Sequence, residues 1–270
     1  MNLNTIVEVK RPKSFEEIEW REGHAFLGGG TWLFSEPQVT TDTLVDLERL
    51  GWPALTVTPA GLEISATCKI VELHDFKGSP EWQAVPLFDK CIDAFLMSFK
   101  IWNAATVGGN ICMSLPAGAM ISLTAALEGV CTLWPRKGKP RQVPVTDFVT
   151  GMHTNVLQKG ELLRSIFLPA SALSKRFAMR QVSLTHYGRS AALIIATVGN
   201  TGEDFLLTIS AATPRPVHLR FKKIPSAIQL RQAIDERLPP DAWFQDVHGS
   251  APYKRHVTHY LAQQIRTELA

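Results

Sequence analysis

"ATVGGNICMSLPAGAM", residues 105–120, sets two adjacent glycines beside an asparagine and follows them with a proline that opens an apolar run. An earlier stretch, "FLGGGTWLF" at 26–34, has the same outline: apolar residues, three consecutive glycines, a threonine, then apolar residues again. Glycine lets a backbone approach another group with no Cβ in the way and turn through conformations other residues avoid. A pyrophosphate is cradled by backbone N–H groups in such bends, and two bends suit a dinucleotide held from two sides. Thr31, Thr106 and Asn110 add side-chain hydrogen-bonding groups at the bends. Ordinary turn-making remains the competing reading of either bend taken alone. Neither bend carries the lysine of GxxxxGK[ST], and Leu33 stands where a third glycine of GxGxxG would fall, which argues against a P-loop or Rossmann site.

Outward from these bends the pattern is mixed. Residues 5–9 and 43–47 read as strands, 14–21 as a helix capped by Ser14 and Glu17, and 55–67 as a hairpin turning at Pro59-Ala60-Gly61. Helical, apolar segments run through 71–76 and 87–99, and a helix with proline in its first turn is expected over 116–129, delivering a strand at 130–135. A further strand closes at Pro169. A second unit begins near Ser171, with three strands ("RFAMRQVSL", "AALIIATVGN", "EDFLLTISAAT") and then two helices, 226–238 and 250–269, the last presenting Tyr253, Val257, Leu261, Ile265 and Leu269 on one face. The basic cluster "PRPVHLRFKK" (214–223) reads as a solvated face.

Composition narrows the function. The 270 residues are 45% hydrophobic and 20% charged with a net charge of +3, too small to argue for a nucleic-acid partner. No run approaches a membrane span and the N-terminus lacks a signal-peptide core, so a cytoplasmic protein is expected. Cys68, Cys91, Cys112 and Cys131 are spread without metal-ligand spacing and read as buried thiols. His256 and His259 lie three apart on a helix without a third ligand, so no metal site is expected. No nucleophile or acid–base arrangement can be picked out. Trp32 and Trp102, beside the two bends, read as packing residues first and as platforms for a cofactor ring second.

On these residues the chain resembles the FAD-binding subunit of molybdenum hydroxylases, the xanthine dehydrogenase and carbon monoxide dehydrogenase family. "GGGTWL" is similar to the family's first loop and "TVGGN" with its downstream proline to the second, while "LVDLERL", "LEISATCKIVEL", "FVTGMHTNVLQKGELLRSIFLP", "ATPRPVHLR" and "HGSAPYKRHVTHYLA" follow in family order. The resemblance implies an α+β fold: a vanillyl-alcohol-oxidase-type FAD-binding domain over 1–170, with subdomains of about 1–54 and 55–170, then a C-terminal domain over 171–270 with a three-stranded sheet and helices. It implies that Phe26, Leu27, Gly28, Gly29, Gly30, Thr31, Trp32 and Leu33 wrap the FAD pyrophosphate, that Thr106, Val107, Gly108, Gly109 and Asn110 form a second cradle, that Leu163 lies near the isoalloxazine, and that Arg180 stands where relatives have a lysine near the flavin. It implies as partners a molybdenum-cofactor subunit and a two-iron iron–sulfur subunit, with electrons leaving to NAD+, oxygen or another acceptor.

The chain departs from the family at Trp32 and Ala119, where relatives carry acids, and "THYGRSA" (185–191) lacks one as well. Losing a carboxylate that accepts from the cofactor weakens binding by roughly 1–3 kcal/mol if its partner is left buried and unpaired. Two alternatives follow: a non-catalytic assembly subunit with weakened FAD binding, and a stand-alone FAD oxidoreductase, which would need a substrate acid that the sequence does not offer.

Overall fold

A computed structural model describes residues 3–94, 96 and 98–270. The helical run expected over 87–99 therefore includes two positions, Phe95 and Met97, outside the described residues.

The chain opens with a small parallel sheet. Strands β1 (Glu8–Lys10) and β2 (His24–Leu27) flank β3 (Thr43–Asp46), which is buried along its whole length. The helix expected over 14–21 does not form. Glu17 does accept from the Lys13 amide at 2.7 Å, but eight residues barely offset the cost of helix nucleation. Phe15 and Ile18 instead pack as turn residues against a cluster containing Val45, Leu47 and Leu162.

Next comes the expected hairpin, β4 (Leu55–Thr58) and β5 (Gly61–Ser65). Five helices follow: α1 (Ile70–His74), α2 (Pro86–Ala94), α3 (Phe99–Trp102), α4 (Val107–Cys112) and α5 (Ala119–Ala126). Helix α5 is shorter than the sequence suggests. Pro116 stays in the preceding turn, where its carbonyl accepts from the Ala211 amide at 2.8 Å, and Gly118 is the N-cap. The chain continues through β6 (Val130–Trp134), β7 (Arg141–Pro144), α6 (Val145–Phe148), a short hairpin of β8 (Val149–Gly151) and β9 (Thr154–Asn155), β10 (Leu162–Pro169) and α7 (Ala170–Leu173). Strands β4, β5, β10, β6 and β7 form, in that order, an antiparallel five-stranded sheet.

The third sheet has four strands rather than three: β11 (Arg176–Ser183), β12 (Ser190–Val198), β13 (Glu203–Ser210) and β14 (Val217–Lys223), antiparallel in sequence order. The additional strand is the basic cluster. Val217, Leu219 and Phe221 alternate with His218, Arg220 and Lys222, the period of an edge strand with one face wet, and charge at an edge discourages further pairing. Helices α8 (Ala227–Arg237) and α9 (Ala251–Leu269) cover one face of this sheet. Helices α2 and α5 lie against the other and separate it from the five-stranded sheet. Buried on both faces, β12 is apolar almost throughout ("SAALIIATV"), and α5 is buried all round. Two polar devices cross the seam. Ser122 of α5 and Ser210 of β13 share a hydrogen bond of 2.7 Å between hydroxyls. Lys175, 8% exposed, bridges Glu128 at 2.8 Å and Asp204 at 2.7 Å, and Arg220 pairs with the same two carboxylates.

Candidate functional site

The two glycine bends meet. A Cβ built on Gly29 would stand 1.7 Å from the Ala104 carbonyl oxygen and 3.0 Å from the Ala105 Cα, and one on Gly28 would stand 2.8 Å from Thr106 Oγ1. Main chain thus lies on main chain, and only glycine allows it. Gly30 turns through the left-handed region (φ +71°), and the Phe34 ring closes over it.

The first bend has a one-sided hydrogen-bond inventory. Three of its carbonyls are committed internally: Gly30 accepts from the Phe34 amide at 2.8 Å, Trp32 from the Ser35 amide and hydroxyl at 2.8 and 2.7 Å, and Leu33 from the Gln38 side chain at 2.8 Å. Its amides are not: those of Gly29, Gly30, Thr31, Trp32 and Leu33 donate to no acceptor among the described residues. Gly30 is buried and Gly29 and residues 31–33 are half-buried, and buried N–H groups in folded proteins find a partner. A run of unpaired amides in one bend is a concavity for an anion.

The second bend, expected as a second cradle, differs in its hydrogen bonding. The Val107 amide donates to the Cys68 carbonyl (2.8 Å), Gly108 to Ala66 (3.0 Å), Gly109 to the Thr106 hydroxyl (3.1 Å) and Asn110 to the Thr106 carbonyl (3.0 Å). Thr106 is therefore the N-cap of α4 rather than a free hydroxyl, and Asn110 Oδ1 accepts from the Met120 amide at 3.1 Å, tying α4 to the start of α5. The two glycines serve different ends. Gly108 is buried with Ala66 where its Cβ would be, at 2.5 Å, so it seats the helix on the chain leaving β5. Gly109 is exposed, and a Cβ there would touch only the Thr106 hydroxyl of its own cap, at 2.9 Å.

Phe26 and Leu27 end β2, and Phe26 rests on Trp20 with ring centroids 4.7 Å apart. Trp32 reaches across to two residues that sequence reading missed: the His153 ring at 5.8 Å and the Arg189 guanidinium at 5.8 Å. His153 holds a left-handed conformation (φ +56°) and donates its amide to the carbonyl of Ser114, itself at φ +51°. Arg189 carries no sequence signal for the site, and His153 only the modest tolerance of histidine for a left-handed backbone. Trp102 sits beside His74 at 5.0 Å with its indole N–H buried and without a hydrogen-bond partner.

The structure does not bring Leu163 and Arg180 to the bends. Leu163, 2% exposed, is sealed in the main core on the central strand β10. Arg180 lies on the opposite face of β11 from the residues that meet that core: Phe177 and Met179 pack toward it, whereas Ala178 and Val182 pack toward α8 and α9, and Arg180 shares their face. Its guanidinium pairs with Glu268 of α9 and donates to the Met179 carbonyl at 2.9 Å. His186 and Tyr187 stack on each other at the exposed β11–β12 turn.

The departure at Ala119 leaves no orphan behind. Ala119 is 1% exposed within the core, and the neighbouring Met120 amide is already satisfied by Asn110. All four cysteines are free thiols; burial pushes Cys68 and Cys112 up to about 12 and Cys91 and Cys131 higher still. Among the described residues no cluster of metal-ligating side chains is present, and no helix is long and apolar enough to cross a membrane.

A family model described as the FAD binding domain in molybdopterin dehydrogenase matches residues 5–171. The glyceraldehyde dehydrogenase medium chain of Sulfolobus acidocaldarius is 24% identical over 244 residues, covering 86% of this chain and 84% of that protein. Xanthine dehydrogenase 1 of Arabidopsis thaliana is 28% identical over 123 residues, 43% of this chain, and the match spans only 9% of that much longer protein. In fold, the chain is similar to a carbon monoxide dehydrogenase structure from Hydrogenophaga pseudoflava (TM-score 0.80, 20% identity, 97% of this chain and 96% of that one). It is likewise similar to quinoline 2-oxidoreductase from Pseudomonas putida 86 (TM-score 0.77, 17% identity, 97% and 96%). With well over half its length matched by that model and its paired glycine bends within the matched region, the chain belongs to the family of FAD-binding domains of molybdopterin dehydrogenases.

Proposed function

We propose that this chain is the FAD-carrying medium subunit of a multisubunit molybdenum hydroxylase, working in the cytoplasm beside a molybdenum-cofactor subunit and a two-iron iron–sulfur subunit. The observation that carries the reading is the row of unpaired amides over Gly29–Leu33, in a bend where the carbonyls of Gly30, Trp32 and Leu33 are satisfied internally. Such a row suits the diphosphate of FAD. When bound, FAD supplies one- and two-electron redox chemistry, linking the partner's iron–sulfur clusters to NAD+, oxygen or another acceptor.

The residues we assign to FAD are Phe26–Leu33 and Thr106–Asn110. The first bend donates hydrogen bonds; the second braces it from behind through Ala104–Thr106 and offers an open main-chain face at Gly109. Trp32, flanked by His153 and Arg189, borders the same region. Leu163 and Arg180, expected toward the isoalloxazine rather than the diphosphate, lie away from the two bends. No side chain acts as nucleophile or general base, because the redox step belongs to the cofactor. We further propose a vanillyl-alcohol-oxidase-type domain over 1–170, in two parts meeting near residue 54, followed by a C-terminal domain over 171–270.

The test is direct. The chain purified with its partners is expected to show flavin absorbance that a physiological donor bleaches, and the isolated chain to take up added FAD. A protein that stays colourless after incubation with FAD would overturn the reading. Flavin that binds but is never reduced would favour the assembly-subunit alternative.

A further inference from the structure

Far from the glycine bends, α8 and α9 enclose a groove of about 220 Å³ lined by Arg231 of α8 and by Pro252, Arg255, His256 and His259 of α9. It has room for several water molecules. Its charge is poorly compensated. Asp235 is the carboxylate that serves it, and a single oxygen of that carboxylate takes both the Arg255 guanidinium at 2.6 Å and the His259 ring at 3.1 Å. Arg231 pairs with no carboxylate among the described residues, and His256 is exposed without a partner. Burial, reinforced by the charges of Arg231 and Arg255, holds the His259 pKa below its usual value despite Asp235. Burial is the main cause, and the two guanidiniums add to it in the same direction.

The wider surface shares the bias. Residues 171–270 contain 13 Lys and Arg against 7 Asp and Glu, a net of +6, while residues 1–170 contain 15 against 18, a net of −3. The small charge of the whole chain hides a basic C-terminal portion. Of the charged side chains there, Lys175 and Arg220 are neutralised at the seam, Lys254 by Asp246 and Arg180 by Glu268. The groove between α8 and α9 gathers two guanidiniums and two imidazoles around one carboxylate.

We propose that this groove is a binding site for a phosphate-type oxyanion, either free phosphate or the phosphate of a nucleotide, separate from the flavin site. Arg231 and Arg255 approach from two helices, and guanidinium forks match the tetrahedral oxygens of phosphate. Asp235 holds Arg255 and His259 in place, leaving Arg231 and His256 to close on the ligand. The inference does not rest on the flavin reading and fails or stands independently of it.

The experiment is a titration of the full chain with inorganic phosphate at constant ionic strength in chloride, read by calorimetry and by the ring resonances of the eight histidines. The expected result is saturable binding with shifts confined to His256 and His259, weakened roughly tenfold or more in Arg231→Ala. Arg231 is exposed, so that variant keeps its fold, which circular dichroism checks; His256→Ala, also at an exposed position, gives a second reading. Adenosine monophosphate binding tighter than phosphate identifies a nucleotide as the source, and equal affinity identifies free phosphate. Shifts that never saturate and spread over all the histidines, or binding that both variants leave unchanged, would overturn the proposal.

Discussion

Alanine at Gly29 and alanine at Gly109 should separate the fold of the site from its use. Neither glycine has a positive φ, so both substitutions test space rather than backbone strain. At Gly29 the new methyl would sit 1.7 Å from the Ala104 carbonyl oxygen. Even a tight 3.0 Å contact requires the two bends to part by about 1.3 Å, and overpacking against backbone costs about 1–3 kcal/mol or more. At Gly109 the methyl meets only the Thr106 hydroxyl at 2.9 Å. Disturbing that cap costs about 0.5–2 kcal/mol, and replacing glycine by alanine inside α4 returns about 1 kcal/mol, so the two nearly cancel. Yet the methyl projects from the open face where the cofactor is proposed to lie, and a loss of affinity of tenfold or more is expected, the equivalent of about 1.4 kcal/mol. Urea unfolding gives the stability of each variant, and titration with FAD, followed by quenching of its fluorescence, gives the affinity. The expected pattern is that Gly29→Ala loses both and Gly109→Ala loses affinity alone. If Gly109→Ala binds FAD as tightly as the parent chain, the cofactor does not approach the second bend and the assignment of that bend fails.

Three further outcomes can be measured. Glu161 is buried and receives two bonds of 2.7 Å from Arg141 and one of 3.0 Å from the Gln158 amide; the Arg141 pairing holds its carboxyl below the usual value of 4.5. A depressed carboxylate contributes stability that is present above the unfolded pKa and lost as pH falls through the folded one. Unfolding midpoints should therefore drop below pH 4.5, and Glu161→Gln should remove that part of the drop while costing about 1–3 kcal/mol at neutral pH. Lys254 has no exposed side-chain surface, donates to the Ala211 carbonyl at 3.2 Å and pairs with Asp246 at 2.9 Å. Lys254→Met keeps the packing but strands the partly exposed Asp246, and should cost about 1–3 kcal/mol in urea unfolding. Finally, thiols whose burial raises their pKa to about 12 or beyond should react with a colorimetric thiol reagent only as fast as the chain unfolds; rapid labelling of the native protein would contradict the packing around α4.

Much of the fold was legible because period and punctuation agree with it. The hairpin at Pro59-Ala60-Gly61, strand β3, the unbroken apolar strand β12 and the long amphipathic α9 all stand where pattern puts them. The misses share a cause, which is that tertiary contacts overrode a local signal. The Ser14–Glu17 capping pattern formed no helix: the Glu17 carboxylate accepts from the Lys13 amide instead of the Ser14 amide, and Phe15 and Ile18 are better buried as turn residues. Strand β14 was hidden by its charges, although every second residue is apolar. At the site, the two glycine bends could be found in the sequence, but the hydrogen-bond partners of their amides could not. Ala66 and Cys68, which occupy the second bend's donors, lie some forty residues away. Nor could the sequence say which face of β11 Arg180 takes: its neighbours Met179 and Gln181 face the other way, toward Cys91 at 4.0 Å and the Ala94 carbonyl at 3.3 Å.

The asymmetry between the bends accommodates tryptophan at 32 and alanine at 119, the two positions where the family resemblance implies acids. An acid beside the first bend would add an acceptor near a row of amides that a diphosphate itself satisfies; Trp32 adds none and leaves all five donors for the ligand. Trp32 also gains partners of its own, since its ring lies against His153 and Arg189, and a cation against an indole face contributes about 0.5–1 kcal/mol even at an exposed site. Arg189 belongs to the turn between β11 and β12, so this contact joins the four-stranded sheet to the loop that precedes β3. At the second bend, an acid in place of Ala119 would have to be buried among apolar side chains, where an ionised carboxylate is costly without a partner. The surrounding residues instead supply neutral ties, Asn110 to Met120 and Thr106 to Gly109. With no acid at either position the two bends are held by packing and neutral hydrogen bonds, and FAD binding in this chain should depend less on salt than it would with acids at both positions. A titration with FAD at low and high chloride measures that dependence, and a steep fall in affinity with salt beyond what the diphosphate alone explains would show that side-chain charge still governs the site.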